Sequence, residues 1–236
     1  MTGSIRLFTS HPLHEGAAFA ASPEQAHHLG SVMRRSAGDP LILFNGVDGE
    51  WAGEIASLRK DRAQITLTTQ LRAQITAPPL TLVFAPLKRD ATDLVIEKAT
   101  ELGVTAIRPV LTERTIAARL NLDRWALIAR EAAEQCERLC LPMLAEPVRL
   151  WDLLATWPPE QTLSAAIERS GAGFPAPHEG PAALLIGPEG GFTGPELDAM
   201  RRLPFVEPLG LGPLVLRAET ACIAGLALLQ SALIRR

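Results

Sequence analysis

Between Ala182 and Glu196 the chain reads Ala-Ala-Leu-Leu-Ile-Gly-Pro-Glu-Gly-Gly-Phe-Thr-Gly-Pro-Glu. An apolar strand runs straight into Gly187-Pro188-Glu189-Gly190-Gly191 and then into a helix start, where Thr193 and Glu196 have capping-box spacing and Pro195 suits a first helical turn. A structural turn needs one or two glycines. The concentration here favours close approach of a ligand to the backbone. The loop has no Gly-Lys-Ser/Thr ending, no G-x-G-x-x-G and no G-x-S-x-G, so the common nucleotide-phosphate and hydrolase readings lose their support. Exposed backbone amides and carbonyls could instead read a purine edge.

A second loop, Leu209-Gly-Leu-Gly-Pro-Leu-Val-Leu-Arg-Ala-Glu-Thr220, also follows a short strand and precedes an apolar helix. Arg217, Glu219 and Thr220 fall at that helix entrance, where charges and donors are well placed for a substrate; a solvated arginine and ordinary first-turn residues are the plainer alternative. Glu97 and Glu101 share a helix face. That spacing permits a carboxylate dyad, but it fits a solvated or interface face better. Cys136 and Cys140, four apart, are expected on one face of a helix as buried structural thiols; a metal site would need two further ligands, and no histidine is near in sequence.

These loops need a scaffold. From Leu80 onward strands and helices alternate: strands at 80–85, 104–110, 163–167, 182–186 and 205–207, and helices at 91–102, 123–139, 194–202 and 218–234. That order predicts a parallel sheet covered by helices, with ligands at loops beyond the carboxyl ends of strands. The first part of the chain differs. A helix over Ser22–Arg34 is followed by short β-like runs at 40–44, 50–58 and 63–70 separated by tight turns, which suggests a small barrel. Ala77-Pro78-Pro79 reads as a linker.

The chain has 236 residues, 47% hydrophobic and 21% charged, and a net charge of −3. These values exclude wholesale disorder and argue against a polyanion-coating protein. Twenty of the 23 basic residues are arginine, a bias that fits a GC-rich coding sequence. The N-terminus lacks the pattern of a signal peptide and the apolar run Ala221–Leu229 is too short to span a bilayer, so a soluble cytoplasmic protein is expected, with no membrane partner.

The two loops, together with Glu97-Lys-Ala-Thr-Glu-Leu-Gly-Val104, Glu131-Ala-Ala-Glu-Gln135, Arg138, and the opening His27-His-Leu, Val32-Met-Arg34 and Gly38-Asp39, resemble the SPOUT methyltransferases. Within them, the chain is similar to the ribosomal RNA small subunit methyltransferase E family over almost its whole length. The resemblance implies an α/β fold with a PUA-like β-barrel at residues 1–74, and a SPOUT domain at 75–236 whose parallel sheet carries a trefoil knot. It implies S-adenosylmethionine as cofactor and methylation of N3 of a specific uridine in 16S rRNA, uracil 1498. It also implies a homodimer acting on the rRNA or the small ribosomal subunit, and no metal.

By motif position Leu185, Gly187, Pro188, Glu189, Gly190, Gly191, Leu209, Gly210, Leu214 and Leu216 would line the cofactor. Arg217 and Glu219 would stand near the methyl group and the uracil. Arg6, Arg34, Arg35, Lys88 and Arg138 would contact RNA. Cys140, two places after Arg138, and Pro213, ahead of the Leu-Arg element, depart from the family's more basic pattern. Two other functions remain to be set against this one. A silent RNA-binding module would lack cofactor binding, and a ribose 2′-O-methyltransferase would share the knot motifs but not the N-terminal ones.

Overall fold

Inward-facing apolar residues alternate along five strands of the N-terminal region: β1 (Ile5–Phe8), β2 (Ala18–Ala20), β3 (Pro40–Phe44), β4 (Glu50–Arg59) and β5 (Arg62–Arg72). In this computed structural model, which describes residues 5–60, 62–116, 120–168, 171–176 and 180–233, they form one sheet in the order β1-β3-β4-β5-β2. β1 runs parallel to β3 and the other pairs are antiparallel. Ile5, Leu7, Leu41, Leu43, Ile55, Ile65 and Leu67 point into a shared core with Ala26 and Leu29. That period-two pattern is why the segment folds as a half-buried sheet.

The expected helix over Ser22–Arg34 is shorter and changes type. Helix α1 (Pro23–His27) opens with a capping box between Ser22 and Gln25, then gives way to a π-helical turn at His28–Val32. Arg34 follows in the left-handed region at φ 52°, which ends the helical run.

Strands β6 (Leu80–Phe84), β7 (Ala106–Leu111), β8 (Met143–Leu144), β9 (Val148–Arg149), β10 (Leu163–Ala166), β11 (Ala182–Ile186) and β12 (Val206–Leu209) build an all-parallel sheet in the order β12-β10-β11-β6-β7-β8, with β9 pairing β7. One face bears Leu82, Phe84, Ile107, Leu184 and Ile186. It packs on α2 (Arg89–Glu101), α3 (Leu122–Gln135) and α6 (Ala218–Ala232) through Ile96, Trp125 and Leu226. The opposite face bears Val83, Val110, Ala183 and Leu185, and packs on α4 (Leu150–Ala155) and α5 (Gly194–Met200) through Leu153 and Met200. A sheet buried on both faces requires near-continuous apolar strands, which β11 with Ala-Ala-Leu-Leu-Ile supplies. Alternation of strand and helix was legible in the sequence; β1, β2, β8, β9 and α4 were not anticipated.

The chain divides into two compact units. One comprises the chain up to Thr76 together with Ala133–Leu141, the other Ala77–Ala132 together with the chain from Pro142. In the first unit, α3 stops at Gln135 rather than running to Leu139. Glu137 turns left-handed at φ 60°. Guanidinium groups take a carbonyl of the last helical turn and two in the segment beyond it. Arg6 Nη1 donates to Ala133 O (2.8 Å), Arg6 Nη2 to Arg138 O (2.6 Å) and Arg72 Nη2 to Glu137 O (2.8 Å). Cys136 and Cys140 therefore do not share a helix face, and both are half-buried rather than buried.

Candidate active site

The glycine-rich turn begins where β11 ends. Gly187 and Pro188 are buried, whereas Glu189, Gly190 and Gly191 are exposed. Gly191 adopts φ 66°, and its amide donates to Pro188 O (2.8 Å), closing a tight turn. The Phe192 ring lies under Gly187 and fills the place where a side chain would stand. α5 is then started by Thr193, whose side chain accepts from Glu196 N while the Glu196 carboxylate accepts from Thr193 N (2.8 Å). The loop thus offers bare backbone outward and is anchored at both ends by the core.

The second loop leaves β12, separated from β11 only by β10 in the same parallel sheet, so the two loops project from one edge. Leu209 is buried. Gly210 is pressed against the 171–173 segment: its amide donates to Gly173 O (2.9 Å), and a Cβ at 210 would collide with the Ala172 carbonyl. Farther along, Leu214 and Val215 are 77% and 58% exposed, and Leu216 is half-buried. Exposed apolar side chains beside exposed glycine backbone suit a ligand with a flat, partly apolar body read through main-chain groups. Adenosine in S-adenosylmethionine has that character, so the residues present fit the cofactor.

Arg217 is the N-cap residue of α6. Its side chain is exposed and makes no capping bond. Glu219 follows in the first turn, half-buried. Burial, with a smaller contribution from the nearby Glu219 charge, pushes the Cys222 thiol far up, so it serves as core rather than as a nucleophile.

Other expected site residues fall out differently. The side chains of Leu185 and Leu209 are core, so only their backbone can meet a ligand. Lys88 is exposed as the N-cap of α2, and its amide lies 3.4 Å from Glu189 Oε1. Arg34 is exposed, and Arg35 lines a polar hollow of about 350 Å³ with Ser31, Ser36 and Lys60. Arg138 is half-buried with Nη2 3.5 Å from Cys140 Sγ.

Arg6 is corrected outright. Its side chain is 6% exposed, paired to Glu50 (2.6 Å), stacked over the Phe44 ring and spent on the carbonyls of Ala133 and Arg138, so it offers nothing to RNA. Glu97 and Glu101 both bind Lys98, at 2.7 and 2.9 Å, and form a solvated ion cluster rather than a dyad. Among the described residues no group of three or more His, Cys, Asp or Glu is placed to hold a metal, and no helix is long and apolar enough to cross a membrane.

The sequence reading passed over Arg114 and Glu113, beyond the end of β7. Arg114 Nη1 donates to Gly190 O (2.7 Å), and Glu113 N donates to Glu196 Oε1 (2.9 Å). The rule that directs attention to strand-end loops applies to β7 as much as to β11 and β12, and would have found them.

Residues 75–230 match the RNA methyltransferase domain family and residues 22–68 the RNA methyltransferase PUA domain family. The ribosomal RNA small subunit methyltransferase E of Rickettsia conorii is 31% identical over 230 residues, covering 94% of this chain and 93% of that protein. The chain belongs to the ribosomal RNA small subunit methyltransferase E family. The family's Synechocystis member is 32% identical over 92% of this chain and 74% of its own length. Among solved structures, the Neisseria gonorrhoeae member bound to S-adenosyl methionine superposes with a TM-score of 0.89 at 27% identity, covering 97% of this chain and 98% of that one. A Legionella pneumophila protein in complex with the cofactor SAM gives 0.88 at 31% identity, covering 98% and 99%. Family membership makes this chain an rRNA methyltransferase with a PUA-type domain ahead of an α/β methyltransferase domain.

Proposed function

We propose that this enzyme binds S-adenosylmethionine at the Gly187–Gly191 and Leu209–Leu216 loops and methylates N3 of one uridine in 16S rRNA, the position equivalent to uracil 1498. The observation that carries this reading is the shared edge of the parallel sheet. From it project an exposed glycine backbone, exposed Leu214 and Val215, and the unengaged cap residue Arg217. Leu185, Gly187, Pro188, Glu189, Gly190, Gly191, Leu209, Gly210, Leu214 and Leu216 form the cofactor pocket, Leu185 and Leu209 through backbone alone. In keeping with the family, we read the Gly210 contact with the 171–173 segment as part of a trefoil knot and the five-stranded unit as a PUA-like barrel.

The bound cofactor supplies an activated methyl group on a sulfonium. What the chain must add is positioning and charge. Uracil N3 becomes nucleophilic when its proton leaves, and negative charge then develops on O2 and O4. Arg217, preset by its N-cap position, stabilises that charge in the manner of an oxyanion site. Glu219, two residues further along and half-buried, takes the proton in this reading, directly or through water. N3 lies on the Watson–Crick edge, so the target is unpaired or turned out of its stack. Arg34 and Arg35 hold neighbouring RNA, and the hollow lined by Arg35, Ser31, Ser36 and Lys60 offers donors to a phosphodiester. Lys88 and Arg138 are further RNA contacts, each on its own unit, and two copies complete each site as a homodimer.

Nucleoside mass spectrometry of 16S rRNA from a strain lacking this chain tests the assignment. Loss of N3-methyluridine, restored by the wild-type chain but not by Arg217→Ala, is the expected result. Retained N3-methyluridine with a missing 2′-O-methyl group would replace the assignment with ribose methylation. Failure of the pure protein to bind the cofactor would leave only an RNA-binding module.

A further inference from the structure

Three strand-end loops meet at the glycine turn. From the β6–α2 connection, the Lys88 amide approaches Glu189 Oε1 at 3.4 Å. From beyond β7, Arg114 reaches across to Gly190: Nη1 donates to the carbonyl at 2.7 Å, and its Cδ lies 3.4 Å from the place a Cβ on Gly190 would take. One residue earlier, the Glu113 amide donates to Glu196 Oε1 at 2.9 Å. The Glu196 carboxylate is wholly buried, and its other oxygen accepts from Thr193 N (2.8 Å) and Thr193 Oγ1 (3.1 Å).

Capping α5 explains the bonds to Thr193, because the Thr193 amide donating to the Glu196 carboxylate and the Glu196 amide donating to Thr193 Oγ1 complete a capping box. It does not explain the bond to Glu113, 83 residues away in sequence. That bond joins the end of the glycine loop to the β7 loop, and Arg114 joins the middle of the same loop to the same place. A glycine-rich segment loses more conformational entropy on ordering than any other, so a ligand that must order it binds weakly. A charge-assisted bond to the one carbonyl at the exposed apex is an economical way to order it beforehand.

We propose that Arg114 and Glu196 are positioning residues that latch Gly187–Gly191 in its cofactor-binding shape, Arg114 through the Gly190 carbonyl and Glu196 through the Glu113 amide. The inference rests on the reading of that loop as the S-adenosylmethionine site. It assigns neither residue to the chemistry. Loss of either therefore weakens cofactor affinity before it touches RNA affinity.

The test is isothermal titration of S-adenosylmethionine into the full-length protein without RNA, with steady-state KM values for cofactor and 16S rRNA. Arg114 is exposed, so Arg114→Ala leaves the core intact; Glu196→Gln keeps the volume of the buried side chain. Arg201→Ala, at the exposed C-cap of α5 and paired to Asp198, is the control. Arg114→Ala is expected to raise the cofactor Kd and KM on the order of tenfold, the effect of losing one charge-assisted hydrogen bond, with the RNA KM within about twofold of wild type. Arg114→Lys, which keeps a donor, should fall between. Cofactor binding within about twofold of wild type in both Arg114→Ala and Glu196→Gln would overturn the latch. So would a rise confined to the RNA KM, which would make Arg114 an RNA contact. A wild-type protein that binds no cofactor would overturn the reading of the site itself, a distinguishable failure.

Discussion

Arg217 and Arg6 show how differently two arginines of one chain can be used. Arg217 caps α6 with its backbone alone, and its guanidinium is left for a ligand. Arg217→Ala is expected to bind S-adenosylmethionine with unchanged affinity by calorimetry, while its methylation rate falls about 100-fold or more, the usual loss when one oxyanion donor is removed. Equal turnover would remove Arg217 from the chemistry. Sequence could reveal the residue type and its place at a helix entrance, but not that Arg6, equally basic and equally near a motif, is buried against Phe44 and Glu50. Burial depends on which distant segments fold over a side chain, and the partners of Arg6 lie 44, 127 and 132 residues away. Gly210 is legible for the opposite reason. A glycine beside a ligand loop signals close approach, and the Ala172 carbonyl occupies the space a methyl group would need. Gly210→Ala must displace one of two backbones, so both cofactor affinity and melting temperature should fall. A variant with wild-type values in both would show the contact to be slack.

At the level of elements, the period-two strands and the capping signals were readable because they are local. The capping box at Thr193 and Glu196 is present in the structure, and Thr193→Ala should cost about 1 kcal/mol in denaturant unfolding. What could not be read was the end of α3. Nothing in Glu131–Leu139 signals a stop, yet the chain leaves the helix after Gln135, and Arg6 and Arg72 donate to the carbonyls of residues 133, 137 and 138. Glu50 holds both arginines, at 2.6 Å each. Burial alone would raise the Glu50 carboxyl, but the Arg72 and Arg6 guanidinium groups outweigh it and hold it below its ordinary value of 4.5. A carboxylate depressed in the folded state stabilises fully above its unfolded value, and that stability is lost as pH falls through the folded one. Thermal unfolding of wild type should therefore become steeply pH-dependent below about pH 4.5. Glu50→Gln should flatten that limb and lower stability at neutral pH by about 3 kcal/mol, since it strands a buried guanidinium. An unchanged acid limb would mean that other carboxylates set it.

For the whole molecule, the charge balance decides what kind of RNA recognition is possible. The net charge is −3, and residues 1–76 carry seven basic and seven acidic side chains, leaving sixteen and nineteen in the remainder out of 23 and 26. One of those seven, Arg6, is sequestered inside, and Arg72 is paired with Glu50, so residues 1–76 have still less positive charge to spend on phosphate. Affinity for RNA must then come from a few placed contacts. Arg35 and Lys60 around one hollow, and exposed Arg34 next to Arg35 in the chain, are three such groups. Each phosphate neutralised on a single strand adds about 0.7 to the slope of log K against log salt, so three to five contacts predict a slope of about −2 to −3.5. A fragment of 16S rRNA carrying the target uridine in an unpaired loop, titrated at increasing KCl, should show that shallow dependence and outcompete unstructured RNA of equal length. Arg35→Ala should make the slope shallower by roughly one contact's worth. A steep slope shared by unrelated RNA would mean that a broad basic surface does the binding, and a charge distribution this even offers no place to build one unless two copies of the chain assemble it. Light scattering on the same samples separates the two cases. A species of twice 25.4 kDa whose salt slope doubles on dimerisation would place the phosphate contacts across the pair, whereas a slope independent of dimerisation would keep them within each chain.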